Sequence, residues 1–110
     1  MDVRDLRDLV EFEEGGVVRR PVFESGRLWA QVVSLDVNRS YGPVGDPDAE
    51  AMVTILAGEA VFQVGRRRKR MGQWGSVLVP AGQELVVTNA SGDPLVLLMV
   101  TAPPPAAGGG

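Results

Sequence analysis

The sequence predicts a single all-β domain, a sandwich or barrel of short strands preceded by one short helix. Three observations predict it. Fourteen Gly and eight Pro are spread along 110 residues, a density of turn formers that suits short strands better than long helices. Between them lie short runs rich in Val, Leu and Ile, separated by turn residues at near-regular spacing. The 45% hydrophobic content is ordinary for a globular protein, and the length allows one core and one domain, not two.

The elements follow in order. Residues 2–10 read as the helix, with Asp2 as its cap, Asp5 in the first turn and a narrow stripe of Leu6, Leu9 and Val10. Glu11–Gly16 reads as a loop, so residues 1–16 form an N-terminal arm. Val17–Phe23 reads as an edge strand, because Pro21 cannot donate to a ladder. After a turn at Glu24–Gly26, Arg27–Val37 is a long run of β-formers. Asn38–Glu50 holds Gly42, Pro43, Gly45, Asp46, Pro47 and Asp48 and reads as a long irregular stretch, a kind of segment that is often functional. The remaining strands are Ala51–Leu56, Ala60–Val64, Arg66–Met71, Ser76–Val79, Glu84–Asn89 and Pro94–Thr101, joined by turns that carry Gly58, Gly65, Gly72, Gly82 and Gly92. The barrel therefore spans residues 17–103. Residues 104–110 contain only Pro, Ala and Gly and read as a flexible tail.

Composition excludes whole classes of chemistry. The chain has no His and no Cys. Ser-His and Cys-His nucleophiles are therefore absent, as are disulfides and zinc or iron sites built on imidazole or thiolate. A net charge of −3 offers no general attraction to nucleic acid or to an anionic membrane. The first residues, MDVRDLRDLVEFEE, are too acidic and too broken for a signal peptide, and the apolar runs are too short to span a bilayer. A cytoplasmic protein with no membrane partner is the expectation.

Two segments resemble the cupin superfamily in its small single-domain form. The run GSVLVPAGQELVVTN supplies Gly75, Pro80, Gly82 and Asn89 at or near positions of that family's second motif. Gly75 lies one residue closer to Pro80 than the pattern, and Leu85 stands at the motif's His. The run NRSYGPVGDPDAEAMVTILAG can be laid on the first motif, with Asn38 at its opening Gly and Gly58 at its close. Both positions suit left-handed backbone. The motif's two His then fall on Val44 and Asp46, and its Glu on Ala51; a one-residue slip would place the His on Gly45 and Pro47.

The resemblance implies a jelly-roll-like barrel whose metal ligands, three His and one Glu, would point inward. Here the equivalent positions are Val44, Asp46, Ala51 and Leu85, and only Asp46 can ligate. One carboxylate falls short of the three or so protein ligands that metal sites generally use. The expectation is no bound metal and no cofactor, with a dry or apolar pocket at the mouth of the barrel. Strand alternation adds Val53 to Ala51 and Val87 to Leu85, and Tyr41 lies near the mouth with two readings, a hydroxyl that donates to a ligand or a packed ring with its hydroxyl in water. The candidate pocket is therefore Tyr41, Val44, Asp46, Ala51, Val53, Leu85 and Val87. Asp46, Asp48 and Glu50 lie close together in sequence and carry two readings, an oxygen site for Ca²⁺ or Mg²⁺ and an acidic solvated loop.

Other features carry two readings each. Arg66, Arg67, Arg68, Lys69 and Arg70 form a basic hairpin. It can hold an anion or an acidic partner, or it can simply protect a sheet edge. It contains no aromatic residue to stack on bases, which argues against nucleic acid. Trp29, mid-strand, reads as core. Trp74 reads as covering a barrel end or a dimer partner. The function that follows is a metal-free module for small-molecule binding, sensing or assembly, and the resemblance implies a homodimer. The alternatives are a metal-independent isomerase or cyclase using Asp46, Tyr41 or Glu84, and an adaptor acting through Arg66–Arg70. Glu84 precedes the inward Leu85 and is expected to point outward.

Overall fold

A computed structural model of the chain describes residues 1–104; most of the expected tail lies outside the described residues. Among the described residues nine strands form: β1 (Val17–Glu24), β2 (Trp29–Leu35), β3 (Ser40–Val44), β4 (Glu50–Ala57), β5 (Ala60–Val64), β6 (Arg67–Met71), β7 (Ser76–Val79), β8 (Leu85–Asn89) and β9 (Leu95–Ala102). They make two antiparallel sheets, one in the order β1-β2-β9-β4-β7 and one in the order β3-β8-β5-β6. Strands distant in sequence lie side by side, with β9 between β2 and β4 and β8 between β3 and β5. This is a jelly-roll arrangement. Among the described residues no helix is long and apolar enough to cross a membrane.

The main core lies between the sheets. It takes Val33 and Leu35 from β2, Val53 and Ile55 from β4, Phe62 from β5, Leu85 and Val87 from β8, and Leu95 and Leu97 from β9. Full burial of each such side chain is worth about 1.5–3 kcal/mol. A second cluster covers the outer face of the five-stranded sheet, where Val22, Ala30, Val32 and Val96 meet Leu6, Leu9 and Val10 of the arm. Strand β2 is therefore buried on both faces, its polar Gln31 and Ser34 included.

Three expectations are corrected. The N-terminal helix is a single 3-10 turn, Leu6–Leu9, capped by Asp5 and not by Asp2. The Asp5 carboxylate accepts the Arg7 backbone N–H at 3.0 Å, a local bond that competes with helix propagation in so short a segment. The stretch 38–50 is not wholly irregular, because it contains β3. Gly42 and Pro43 hid this strand: β3 lies at a sheet edge and its pairing with β8 is interrupted between Tyr41 and Val44, a setting that tolerates both residues. Trp74 covers no barrel end; it stands 71% exposed in the turn before β7.

The basic run behaves as an edge. β6 closes one side of the four-stranded sheet, and Arg66–Arg70 are all exposed. Arg67 and Lys69 pair across from Val64 and Phe62, so charge occupies the face that would otherwise continue the core. Charge placed this way discourages edge-to-edge pairing. Arg70 also binds Glu59 at 2.9 Å and donates to the Ala90 carbonyl.

Candidate ligand pocket between the sheets

The two sheets part at the end where β2 begins and β9 finishes. Register fixes what faces the gap. Thr101 pairs with Trp29 on one side and Ala51 on the other. Ala51 also pairs with Val79, and on the opposite sheet Val44 pairs with Leu85. All six side chains line one cavity of about 250 Å³. Met99, one inward step deeper on β9, forms part of its wall, and Tyr41 stands against it from β3.

The mouth is made by two loops that touch. The Gly82 N–H donates to the Asp46 carbonyl at 2.9 Å. Gly45 packs on the Gln83 backbone so closely that a β-carbon there would collide with the Gln83 carbonyl oxygen; glycine is what allows the approach. Asp46 shapes its own loop, its Oδ1 accepting the Asp48 N–H at 2.7 Å in an Asx turn. Asp46 and Glu84 both reach the cavity lining.

Inside, two side chains bring buried hydroxyls. Tyr41 is 9% exposed, and its hydroxyl accepts from Gln31 Nε2 at 3.2 Å. That bond leaves the phenolic hydrogen available to donate. Thr101 is 6% exposed, and its Oγ1 has no hydrogen-bond partner among the described residues. An unpaired buried hydroxyl costs about 1–3 kcal/mol, so the position is kept against a stability penalty.

The structure redistributes the residues singled out from the sequence. Tyr41, Val44, Asp46, Ala51 and Leu85 come together on the cavity. Val53 and Val87 do not line it; they sit one alternation deeper, buried in the core. Glu84, in the loop before β8, is exposed and lies both on the lip of the cavity and beside Gln63, Gly65 and Val86 on the outer side. Trp29 is half-buried at the rim, since β2 starts with it, and its indole N–H donates to Glu24 Oε1 at 3.3 Å. Arg66–Arg70 lie outside the cavity.

The donor set does not fit the metal that the family resemblance implies. The four positions of the implied ligands do converge, yet Val44, Ala51 and Leu85 offer no donor atom and Asp46 is engaged with the Asp48 backbone. Among the described residues no three His, Cys, Asp or Glu side chains come together to hold a metal ion. Asp46, Asp48 and Glu50 are therefore not assembled into an oxygen site.

Comparison with known proteins supports the architecture. No family model and no curated protein sequence matches the chain. Solved structures do. The chain is similar to the TT1209 protein of Thermus thermophilus, at 28% identity and a TM-score of 0.89 over 96% of this chain and 100% of that one. It superposes on a cupin superfamily protein of Desulfitobacterium hafniense with a TM-score of 0.78 and 21% identity, covering 88% of this chain and 86% of that one. The cupin domain of Schizosaccharomyces pombe Cnp3 gives a TM-score of 0.79 at 18% identity over 89% of this chain and 71% of that domain. The chain has the small cupin domain fold.

Proposed function

We propose that this cupin domain is a binding module that takes up a small organic molecule between its sheets without a metal ion. The observation that carries the proposal is the cavity itself. Its walls combine apolar side chains, from Val44, Ala51, Val79, Leu85 and Met99, with polar groups of Tyr41, Asp46, Glu84 and Thr101. That is the general character of a small-molecule site. The lost ligand positions support binding over metal-assisted catalysis, since three of the four have side chains without donor atoms.

Proton transfer in this cavity would fall to Asp46, Glu84 and Tyr41 alone, so a metal-independent isomerase or cyclase is the second reading. It is favoured only by the presence of two carboxylates on one lip. A homodimer in the cytoplasm is the setting proposed for the module, and sedimentation velocity on the tag-free chain checks the assembly.

Native mass spectrometry of protein purified without a histidine tag tests the binding reading. The expected result is a non-covalent organic adduct, released on denaturation, with no stoichiometric iron, zinc, nickel or manganese in the same preparation. One equivalent of such a metal surviving dialysis contradicts the proposal.

A further inference from the structure

We infer that the cavity selects a small organic monocation, an amine carried on a short apolar or aromatic body; this rests on the reading of the cavity as a ligand site. The argument starts from charge. Asp46 and Glu84 line the cavity, and no lysine or arginine among the described residues does. The ion pairs of the described residues are Arg7 with Asp5, Arg20 with Glu11 and Arg70 with Glu59. Neither lip carboxylate takes part in one. A third carboxylate, Glu24, is held near the rim by the Trp29 indole. One nearby cation is Arg19, whose guanidinium carbon stands 5.9 Å from the centre of the Tyr41 ring but does not line the cavity.

The lip therefore repels an anion and attracts a cation, and partial exclusion of water strengthens that preference. Aromatic surface adds to it. Trp29 and Tyr41 both line the cavity, and aromatic faces attract cations; Arg19 already stands over one face of Tyr41, which leaves Trp29 as the main aromatic contact for a ligand. Deeper in, Val79, Leu85 and Met99 receive an apolar body. The volume, about 250 Å³, equals roughly eight water molecules' share of the liquid at about 30 Å³ each. The ligand is accordingly small, on the scale of one ring with a short arm.

Three probes of nearly equal shape and different charge test the inference: 2-phenylethylamine, 2-phenylethanol and phenylacetate. Each is titrated at low ionic strength and followed by NMR shifts of the cavity residues. The amine is expected to bind about tenfold tighter than the alcohol, with phenylacetate weaker still, and added salt should erode the difference. In the double variant Glu84→Gln, Asp46→Asn the amine preference should vanish, while alcohol affinity stays within about twofold. The Asn keeps the side-chain oxygen that accepts the Asp48 N–H, so the mouth loop is preserved. Equal binding of amine and alcohol, or tightest binding of phenylacetate, overturns the cation assignment and leaves the ligand site standing. If none of the three shifts a cavity resonance, the cation assignment and the site reading fall together.

Discussion

At one end of the barrel Asn89 is 2% exposed and hydrogen-bonded in several directions. Its Nδ2 donates to the carbonyls of Asp93 at 2.8 Å, Asp36 at 3.2 Å and Leu35 at 3.4 Å, and its Oδ1 accepts from the Ser91 N–H at 3.0 Å. Leu35, Ile55 and Leu95 fill the space beneath. At the other end Thr101 is nearly as buried, yet its hydroxyl has no partner among the described residues, and the sheets part around a cavity. The same strands run through both ends. The difference teaches that the closed end ties its loops together through one buried amide and holds the fold, while the open end is hollow; buried hydroxyls without a partner among the described residues occur at both, Thr101 at the open end and Ser34, beside Leu35, at the closed one.

Variants can break or sharpen this contrast. The largest effect is expected from Asn89→Ala, which removes the buried amide that ties the carbonyls of Leu35, Asp36 and Asp93 together; a loss of about 1–3 kcal/mol in urea unfolding is predicted. Thr101→Val should move the other way. It removes an unpaired hydroxyl at nearly constant shape and should stabilise the protein by about 1 kcal/mol, while weakening any ligand that hydrogen-bonds there. A loss of stability in Thr101→Val would show that the hydroxyl is satisfied, and the contrast would fail.

Smaller effects come from charge. The N–H groups of Gly15 and Val37 donate to the Asp36 carboxylate at 2.6 and 2.8 Å and hold its pKa below the usual aspartate value. A group whose folded pKa is lowered contributes stability above its unfolded pKa of about 3.9 and loses it as pH falls toward the folded value. Asp36→Asn should flatten that part of the acid limb of the stability profile and cost less at neutral pH than Asn89→Ala. Smallest of all is the exposed hairpin. Replacing Arg66, Arg67 and Arg68 by Ser should change stability by no more than about 0.5 kcal/mol. A loss of several kcal/mol in thermal unfolding would mean that β6 is held by these side chains.

The architecture was legible because turn residues and apolar runs alternate cleanly, and Pro80, Gly82 and Asn89 carried the resemblance to cupins. Asn38 and Gly58 do adopt the left-handed backbone that their motif positions suit, at φ 63° and 93°. The site was less legible. Strand β9, Leu95–Ala102, is apolar on both faces, so its alternation does not say that Met99 and Thr101 face the cavity. That follows only from the pairing of Thr101 with Ala51 and Trp29. Pro43 and Gly42 masked β3, and with it the setting of Tyr41.

The most direct test of the two-ended account is a methyl-resolved carbon–proton NMR titration with 2-phenylethylamine and 2-phenylethanol. The account predicts shifts at Val44, Val79, Leu85, Met99 and Thr101, with Leu35, Ile55 and Leu95 unmoved. Shifts centred on the closed end, or none at the open end with either probe, would contradict it.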